Sequence, residues 1–382
     1  MKLRDEVLRL LPLLKQWREQ LHQIPECNTD TVKTKAYLKK IFDPYPVTCV
    51  EDVLENSLIV ELDQHQEEWI VFRCDMDALP IKEENEVAYC SLHEGMMHAC
   101  GHDGHMAMGI GLFHYLMEHR SAFDFNFMWV FQPAEETFGG GRNVAEWLKS
   151  KKICSVFATH LQPQLPLGRI GACSRMMGMS LRLRIDIKGR KSHGAMPHLG
   201  KDTLNAATFL IDRIHCLRSQ ELSPFSPIAI CIGQLTAGKV ENVICDEAFI
   251  KATIRTLSIS DARFIQRRIE ELCLGIEYAY GLRIVCRWEE GYPCLVNRES
   301  ALALLKRCVD VEDVKPQLLC DDFAYYLHEF DGLYFYTGCQ GGSGNLHEAN
   351  FDFDSSCLLY GVETFIRLIE EKQAIKKEIS SY

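Results

Sequence analysis

No stretch of this sequence approaches the run of about 20 apolar residues that a membrane-spanning helix needs, so no membrane span is expected. Residues 1–20 set Leu among Lys, Arg and Glu at helical spacing. That pattern predicts an amphipathic helix and lacks the uninterrupted apolar core of a signal peptide. Basic charge is scarce as well: 42 Lys and Arg face 53 Asp and Glu, a formal net charge of -11. With no basic footprint for phosphate backbones, nucleic acid is not an expected partner. A Gly-x-Ser-x-Gly nucleophile elbow is missing, which argues against an α/β-hydrolase serine mechanism. Of the 17 cysteines no two are three residues apart, so zinc ribbons and thioredoxin-type sites are excluded. An odd number of scattered thiols without a secretion signal is expected to stay reduced, which points to the cytoplasm. Internal repeats and low-complexity linkers are absent too.

What is present is a globular composition, 47% hydrophobic and 25% charged over 382 residues. Short apolar runs at 69–73, 127–132, 155–159 and 333–337 read as buried strands. Helical patterns such as 106–118 and 143–149 alternate with them, so the outer parts of the chain predict an α/β fold around a largely parallel sheet. Polar, metal-capable residues come directly after these strands: Asp75 and Asp77, Glu135 and Glu136, His160, and His347 after a glycine-rich loop. Ligands collect beyond the carboxyl ends of strands in such sheets, which places these residues on one rim. The middle of the chain reads differently. Strand 180–187, helix 202–219, strands 228–235 and 248–257, helix 261–280 and strand 282–288 give the ferredoxin-like order βαββαβ. An inserted domain over 179–291 is therefore expected between two parts of a catalytic domain, 1–178 and 292–382.

The densest cluster of chemistry is Met97-His98-Ala99-Cys100-Gly101-His102-Asp103-Gly104-His105, just ahead of an apolar helix. Gly101 lets the backbone bring Cys100 and His102 toward one point, and Asp103 can hold an imidazole. Taken singly, a buried His or Cys is usually structural; three His and a Cys in nine residues cannot all be so. Phe131-Gln132-Pro133-Ala134-Glu135-Glu136 ends a strand with two adjacent carboxylates, which repel unless a cation lies near. One can bind a metal while the other takes a proton. In isolation the pair would read as a solvated loop. Together Cys100, His102, Glu136, His160 and His347 supply mixed N, O and S donors for two metal ions sharing a bridge. Two cations about 3.5–4 Å apart suit hydrolysis, because they make hydroxide available near neutral pH and stabilise the oxyanion of a tetrahedral intermediate.

These motifs resemble the M20 metallopeptidase and amidohydrolase family, in particular its aminoacylases, hippurate hydrolases, auxin-conjugate hydrolases and N-acetyl-diaminopimelate deacetylases. The similarity spans nearly the whole chain. It runs through Leu21-His22-Gln23-Ile24-Pro25-Glu26, the stretch 73–80, the cluster 97–105, the stretch 131–136, His160 and the stretch 189–198. It continues through Asn242-Val243-Ile244, Asp322-Phe323-Ala324-Tyr325 and Leu346-His347.

The resemblance implies that Cys100, His102, Glu136, His160 and His347 ligate two divalent metal ions, Zn or Mn with Co or Ni as alternatives, and that the Cys100 thiolate bridges them. It implies Glu135 as general base and Asp77 as the acid that orients a ligand, whereas Asp75 stands where broader relatives carry a ligand histidine. His193, on the inserted lid or dimerisation domain, would polarise the scissile carbonyl, and Asn242 and Arg255 would hold a substrate carboxylate; a plain surface charge is the competing reading of Arg255. A homodimer through the inserted domain is also consistent with the family. The expected function is cleavage of the amide bond of an N-acyl amino acid or an N-acetylated amine. A dipeptidase or carboxypeptidase of the same family, or a catalytically silent metal-binding homologue, is the alternative. The sequence departs from the family pattern at Ala158-Thr159, Lys191-Ser192 and Asp321, none of which changes a ligand.

Overall fold

The computed structural model describes residues 1–380. The chain divides into two compact units, one of residues 1–176, 296–315 and 321–382, the other of residues 177–295 and 316–320.

In the first unit four neighbouring strands run parallel, in the order Asn126–Gln132, Trp69–Asp75, Ile153–Pro166 and Gly332–Gln340. Antiparallel strands Leu58–Leu62 and Thr48–Glu51 extend one side, and Ile170–Ala172 with Val311–Asp313 extends the other, completing an eight-stranded sheet. Every residue of Trp69–Asp75 and of Asn126–Gln132 is buried. That is the pattern of a parallel sheet covered on both faces, and it explains why these strands read as continuous apolar runs without alternation. Helix His102–His119 is buried nearly all round, as a central helix should be.

Two expectations shift. The N-terminal pattern forms two helices, Asp5–Leu8 and Leu11–His22, in place of one. Pro12 sits in the first turn of the second, where its missing N–H costs nothing; inside a continuous helix its ring would clash with the carbonyl of Leu8. The central helix begins at His102, four residues before its apolar pattern. Gly101 precedes it at φ 86°, a left-handed turn that favours glycine and swings the chain from Cys100 into the helix.

The second unit has the ferredoxin-like order. Its sheet runs Ile228–Ala237, Glu247–Thr256, Met179–Lys188, Arg283–Glu290, antiparallel throughout. Along Met179–Lys188 the side chains alternate: Leu181, Leu183, Ile185 and Ile187 are buried and Arg182, Arg184 and Lys188 are exposed. Helices Thr203–Gln220 and Ile259–Tyr280 share one core with those leucines and isoleucines through Leu210, Ile214, Ile265 and Ile269. Burying each such side chain contributes about 1.5–3 kcal/mol. Both helices start on side-chain caps: Asp202 accepts from the N–H groups of Leu204 and Asn205, and Ser258 from that of Asp261. The second ends on Gly281 at φ 63°.

Candidate metal centre

The parallel strands deliver the chemistry at one level of the sheet. Asp75 pairs with Gln132 at the ends of their strands, and Glu135 and Glu136 lie just beyond Gln132 in the chain. His160 does not come after a strand end; it lies inside Ile153–Pro166. This strand pairs Phe72 with Phe157, so His160 sits level with Asp75 and the strand simply runs on past its neighbour.

At that level the donor atoms of Cys100, His102 and His160 lie within 4.8 Å of one another, and so do those of Cys100, Glu136 and His347. Cys100 is common to both groups. Its Sγ is 3.4 Å from His160 Nε2 and 3.3 Å from His347 Nε2. Glu136 Oε1 is 3.3 Å from His347 Nε2 and 3.9 Å from His102 Nε2.

Main-chain carbonyls fix the imidazoles. His102 Nδ1 donates to the carbonyl of Asp77 at 2.8 Å, and His160 Nδ1 donates to that of Leu161 at 2.7 Å. Each therefore turns a lone pair on Nε2 into the cluster. Burial, with His105 adding to it, lowers His160 to about 4, so its ring is neutral at pH 7 as a ligand must be.

The two other histidines of the cluster are accounted for otherwise. His105 Nδ1 donates to Asp75 at 2.6 Å and its Nε2 accepts the N–H of Leu161 at 3.0 Å, so neither nitrogen is left to bind an ion. His98 is fully buried, and burial lowers it to about 3, leaving a neutral core ring.

The carboxylates divide their work. Asp77 accepts the N–H groups of both Glu135 and Glu136 at 3.1 Å, which pins the loop after the strand. Ala134 enters that loop at φ 63°, a left-handed conformation rare outside glycine and typical of strain kept at a functional position. Asp75 is taken by Arg73 and His105. Burial alone would raise Asp75, but the Arg73 guanidinium and the hydrogen bond from His105 outweigh it and hold the carboxyl below its usual range.

Arg73 itself, buried in the strand, also pairs with Asp322 and lies 3.6 Å from Asp321. Sequence reasoning assigns it no role. An arginine inside an apolar strand run, with an acid two residues later, is the signal that could have found it. Asp103 holds an imidazole, but that of His22 at 2.8 Å, which is not one of the candidate donors.

Glu135 and Glu136 experience different surroundings. Burial pushes Glu135 well above the usual carboxylate range, and the negative charges of Asp321, Glu136 and Asp322 add to the effect. For Glu136 burial acts the same way, but the hydrogen bond from His347 outweighs it and lowers the group. Burial, with Glu136 and Glu135 beside it, likewise pushes the Cys100 thiol up.

In the inserted unit His193 and Asn242 come together. Ser192–His193 pairs with Val243–Ile244, and the Asn242 carbonyl accepts the N–H of Gly194 at 2.7 Å. Both side chains are exposed. Arg255 is not brought to that ladder; it is the penultimate residue of Glu247–Thr256 and donates to the Leu318 carbonyl at 3.1 Å.

A pair of divalent ions fits this donor set on two counts. His102 Nε2 is buried without a hydrogen-bond partner among the described residues. Packing Cys100 against two carboxylates is otherwise unfavourable, whereas a cation there favours the thiolate and both acids at once.

Comparison with known proteins agrees. The profile of Peptidase family M20/M25/M40 matches residues 71–371. The N-acetyldiaminopimelate deacetylase of Brevibacillus brevis is 33% identical over 373 residues, covering 94% of this chain and 96% of that protein. The enzyme of the same name from Halalkalibacterium halodurans is 31% identical over 370 residues, covering 94% and 99%. Among solved structures, a Bacillus subtilis protein described as a dinuclear metal binding peptidase from the M20 family superposes with a TM-score of 0.85. It is 25% identical and covers 96% of this chain and 99% of its own. The chain belongs to peptidase family M20/M25/M40 and is a hydrolase acting on amide bonds.

Proposed function

We propose that the protein cleaves the amide bond of an N-acetylated amino acid, with Cys100, His102, Glu136, His160 and His347 holding two divalent ions and Glu135 as general base. The observation that carries this reading is the pair of donor groups sharing Cys100, with Glu135 beside them. When bound, the ions would lower the pKa of water and stabilise negative charge on the carbonyl oxygen. Glu135 accepts the proton of the attacking water and returns it to the departing amine nitrogen. A carboxylate beside the donor groups is placed for both halves of that transfer. Asp77 keeps Glu135 and Glu136 in register through their N–H groups and steadies His102 through its own carbonyl.

N-acetyldiaminopimelate is the first substrate to test, because the Brevibacillus and Halalkalibacterium relatives are deacetylases of that compound. For the metal, the thiolate favours zinc; manganese, cobalt and nickel suit the imidazole and carboxylate donors. An odd total of 17 scattered cysteines favours reduced thiols and with them a cytoplasmic location. Among the described residues strand Ile228–Ala237 pairs with a neighbour on one side, leaving an edge suited to pairing with a second copy.

The test is a hydrolysis screen of metal-loaded protein against N-acetyl, N-benzoyl and dipeptide substrates. Release of acetate from N-acetylated amino acids supports the reading. Cleavage confined to dipeptides makes the protein a dipeptidase, and no cleavage at all makes it a silent homologue.

His193 has a separate expectation. Its Nδ1 accepts the N–H of Ala195 at 3.1 Å, which holds the ring on an exposed turn with Nε2 free to carry the proton. As the donor to the scissile carbonyl, its removal in His193→Ala should lower kcat by about 10²–10³. Metal content should stay at the wild-type value. A wild-type rate in this variant would remove the carbonyl-polarising role.

A further inference from the structure

His347 is the most exposed of the five donors, and its backbone is the least ordinary. It has φ 67°, and it is reached through a loop in which Gly341 and Gly344 are also left-handed. One anchor of this loop is the His347 N–H, which donates to the Ala99 carbonyl at 2.8 Å. Another is a small ladder at its base, where Ser343 and Asp352 exchange both main-chain hydrogen bonds, at 3.0 and 2.9 Å. Gly342 is needed for that closure, since a Cβ there would stand 2.0 Å from the Asp352 carbonyl oxygen.

The base of the loop is gripped from helix Leu11–His22, which contributes no metal donor. Arg18 is 1% exposed and its guanidinium is shared. One edge donates to Asp103 Oδ2 at 3.0 Å, and the other pairs with Asp352 Oδ1. A third bond, at 3.4 Å, reaches the carbonyl of Phe353, whose ring lies 4.1 Å from the guanidinium carbon. Tyr89 completes the grip by donating to Asp352 Oδ2 at 2.8 Å. Asp103 is the residue after His102, and Asp352 lies five residues beyond His347. One buried cation thus ties the helix that starts at His102 to the loop that carries His347. Burying a guanidinium is costly unless its partners fix it in place, so the arrangement acts as a rigid clamp.

We propose that Arg18, bridging Asp103 and Asp352, is a positioning residue that sets the affinity for the metal ion whose donors are Cys100, Glu136 and His347. The ion at Cys100, His102 and His160 depends on the clamp less, because Cys100, Gly101 and the main-chain carbonyls of Asp77 and Leu161 place those donors. The inference rests on the two-metal reading.

The experiment is a titration of metal-free protein with Zn²⁺, read by calorimetry and by metal analysis, on wild type, Asp352→Asn, Tyr89→Phe and Arg18→Lys. Wild type should bind two equivalents per chain; fewer than two would defeat the two-metal reading itself, and the clamp with it. In Asp352→Asn one equivalent should weaken by about 10- to 100-fold, the usual effect of losing a group that orients a ligand, while the other keeps its wild-type affinity. Tyr89→Phe should weaken the same equivalent less, and Arg18→Lys, which keeps the charge, should retain part of the affinity. A purely structural role predicts lower thermal stability with both equivalents unchanged, or both weakened alike. Either result overturns the proposal. If Arg18→Lys fails to fold, the two variants at the partly exposed Asp352 and Tyr89 decide the matter, with circular dichroism confirming that they are folded.

Discussion

Glu135→Gln is expected to bind two metal ions per chain and to lose about 10²–10⁴ in turnover, the usual contribution of a general base. The amide keeps the shape of the side chain and the N–H bond to Asp77, so the loop should not move. What it loses is a group able to carry a proton between water and the leaving amine. Glu136→Gln should fail in another way. Its carboxylate stands between His347 and His102, at 3.3 and 3.9 Å, so the amide should weaken metal binding and excess metal should restore part of the activity. No metal concentration should restore Glu135→Gln. Metal stoichiometry and turnover, measured for both variants across a metal titration, separate the two roles. Loss of metal in Glu135→Gln with retention in Glu136→Gln would show that they are exchanged.

Cys100→Ser should be the most damaging change at the candidate donor positions, because Cys100 belongs to both donor groups. A serine hydroxyl stays protonated at neutral pH and could not replace a thiolate that two cations would share. Both equivalents should weaken together, by more than the 10- to 100-fold or so expected from disturbing a group that only orients a ligand. Activity should fall with them. Metal analysis of the purified variant checks this, and full stoichiometry with full turnover would remove Cys100 from the donor set.

Much of this site could be read from the residues, for a physical reason. Parallel strands buried on both faces are short continuous apolar runs, and the residues just past their carboxyl ends are polar because they lie on the rim. That logic placed Asp75, Asp77, Glu135 and Glu136 together. It misjudged His160, because a strand that continues past its neighbours leaves no mark in an apolar pattern of five residues. It also ran one helix through Pro12, where the chain restarts.

Features made by long-range pairing were the least legible. Arg73 with Asp322, and Arg18 between Asp103 and Asp352, join residues 85 to 334 positions apart, and no local spacing encodes such a pair. The inserted unit was readable in its order of elements because its alternation and caps are local signals: Leu181 to Ile187 alternate strictly, and Asp202 and Ser258 open its helices. Its chemistry was readable only in part. His193 pairs with Val243 across a two-residue ladder that Asn242 flanks, whereas Arg255 is held by Leu318 and supports a substrate role no better than a structural one.

The central claim is that amide hydrolysis depends on two ions held by donor groups sharing Cys100. The direct measurement is a titration of metal-free wild-type protein with Zn²⁺ or Mn²⁺, recording bound metal and the rate of acetate release from an N-acetylated amino acid in the same samples. The account predicts binding that saturates at two equivalents per chain, with turnover absent from the metal-free protein and maximal only as the second equivalent binds. Full turnover in metal-free protein, or saturation at one equivalent with full activity, would contradict it.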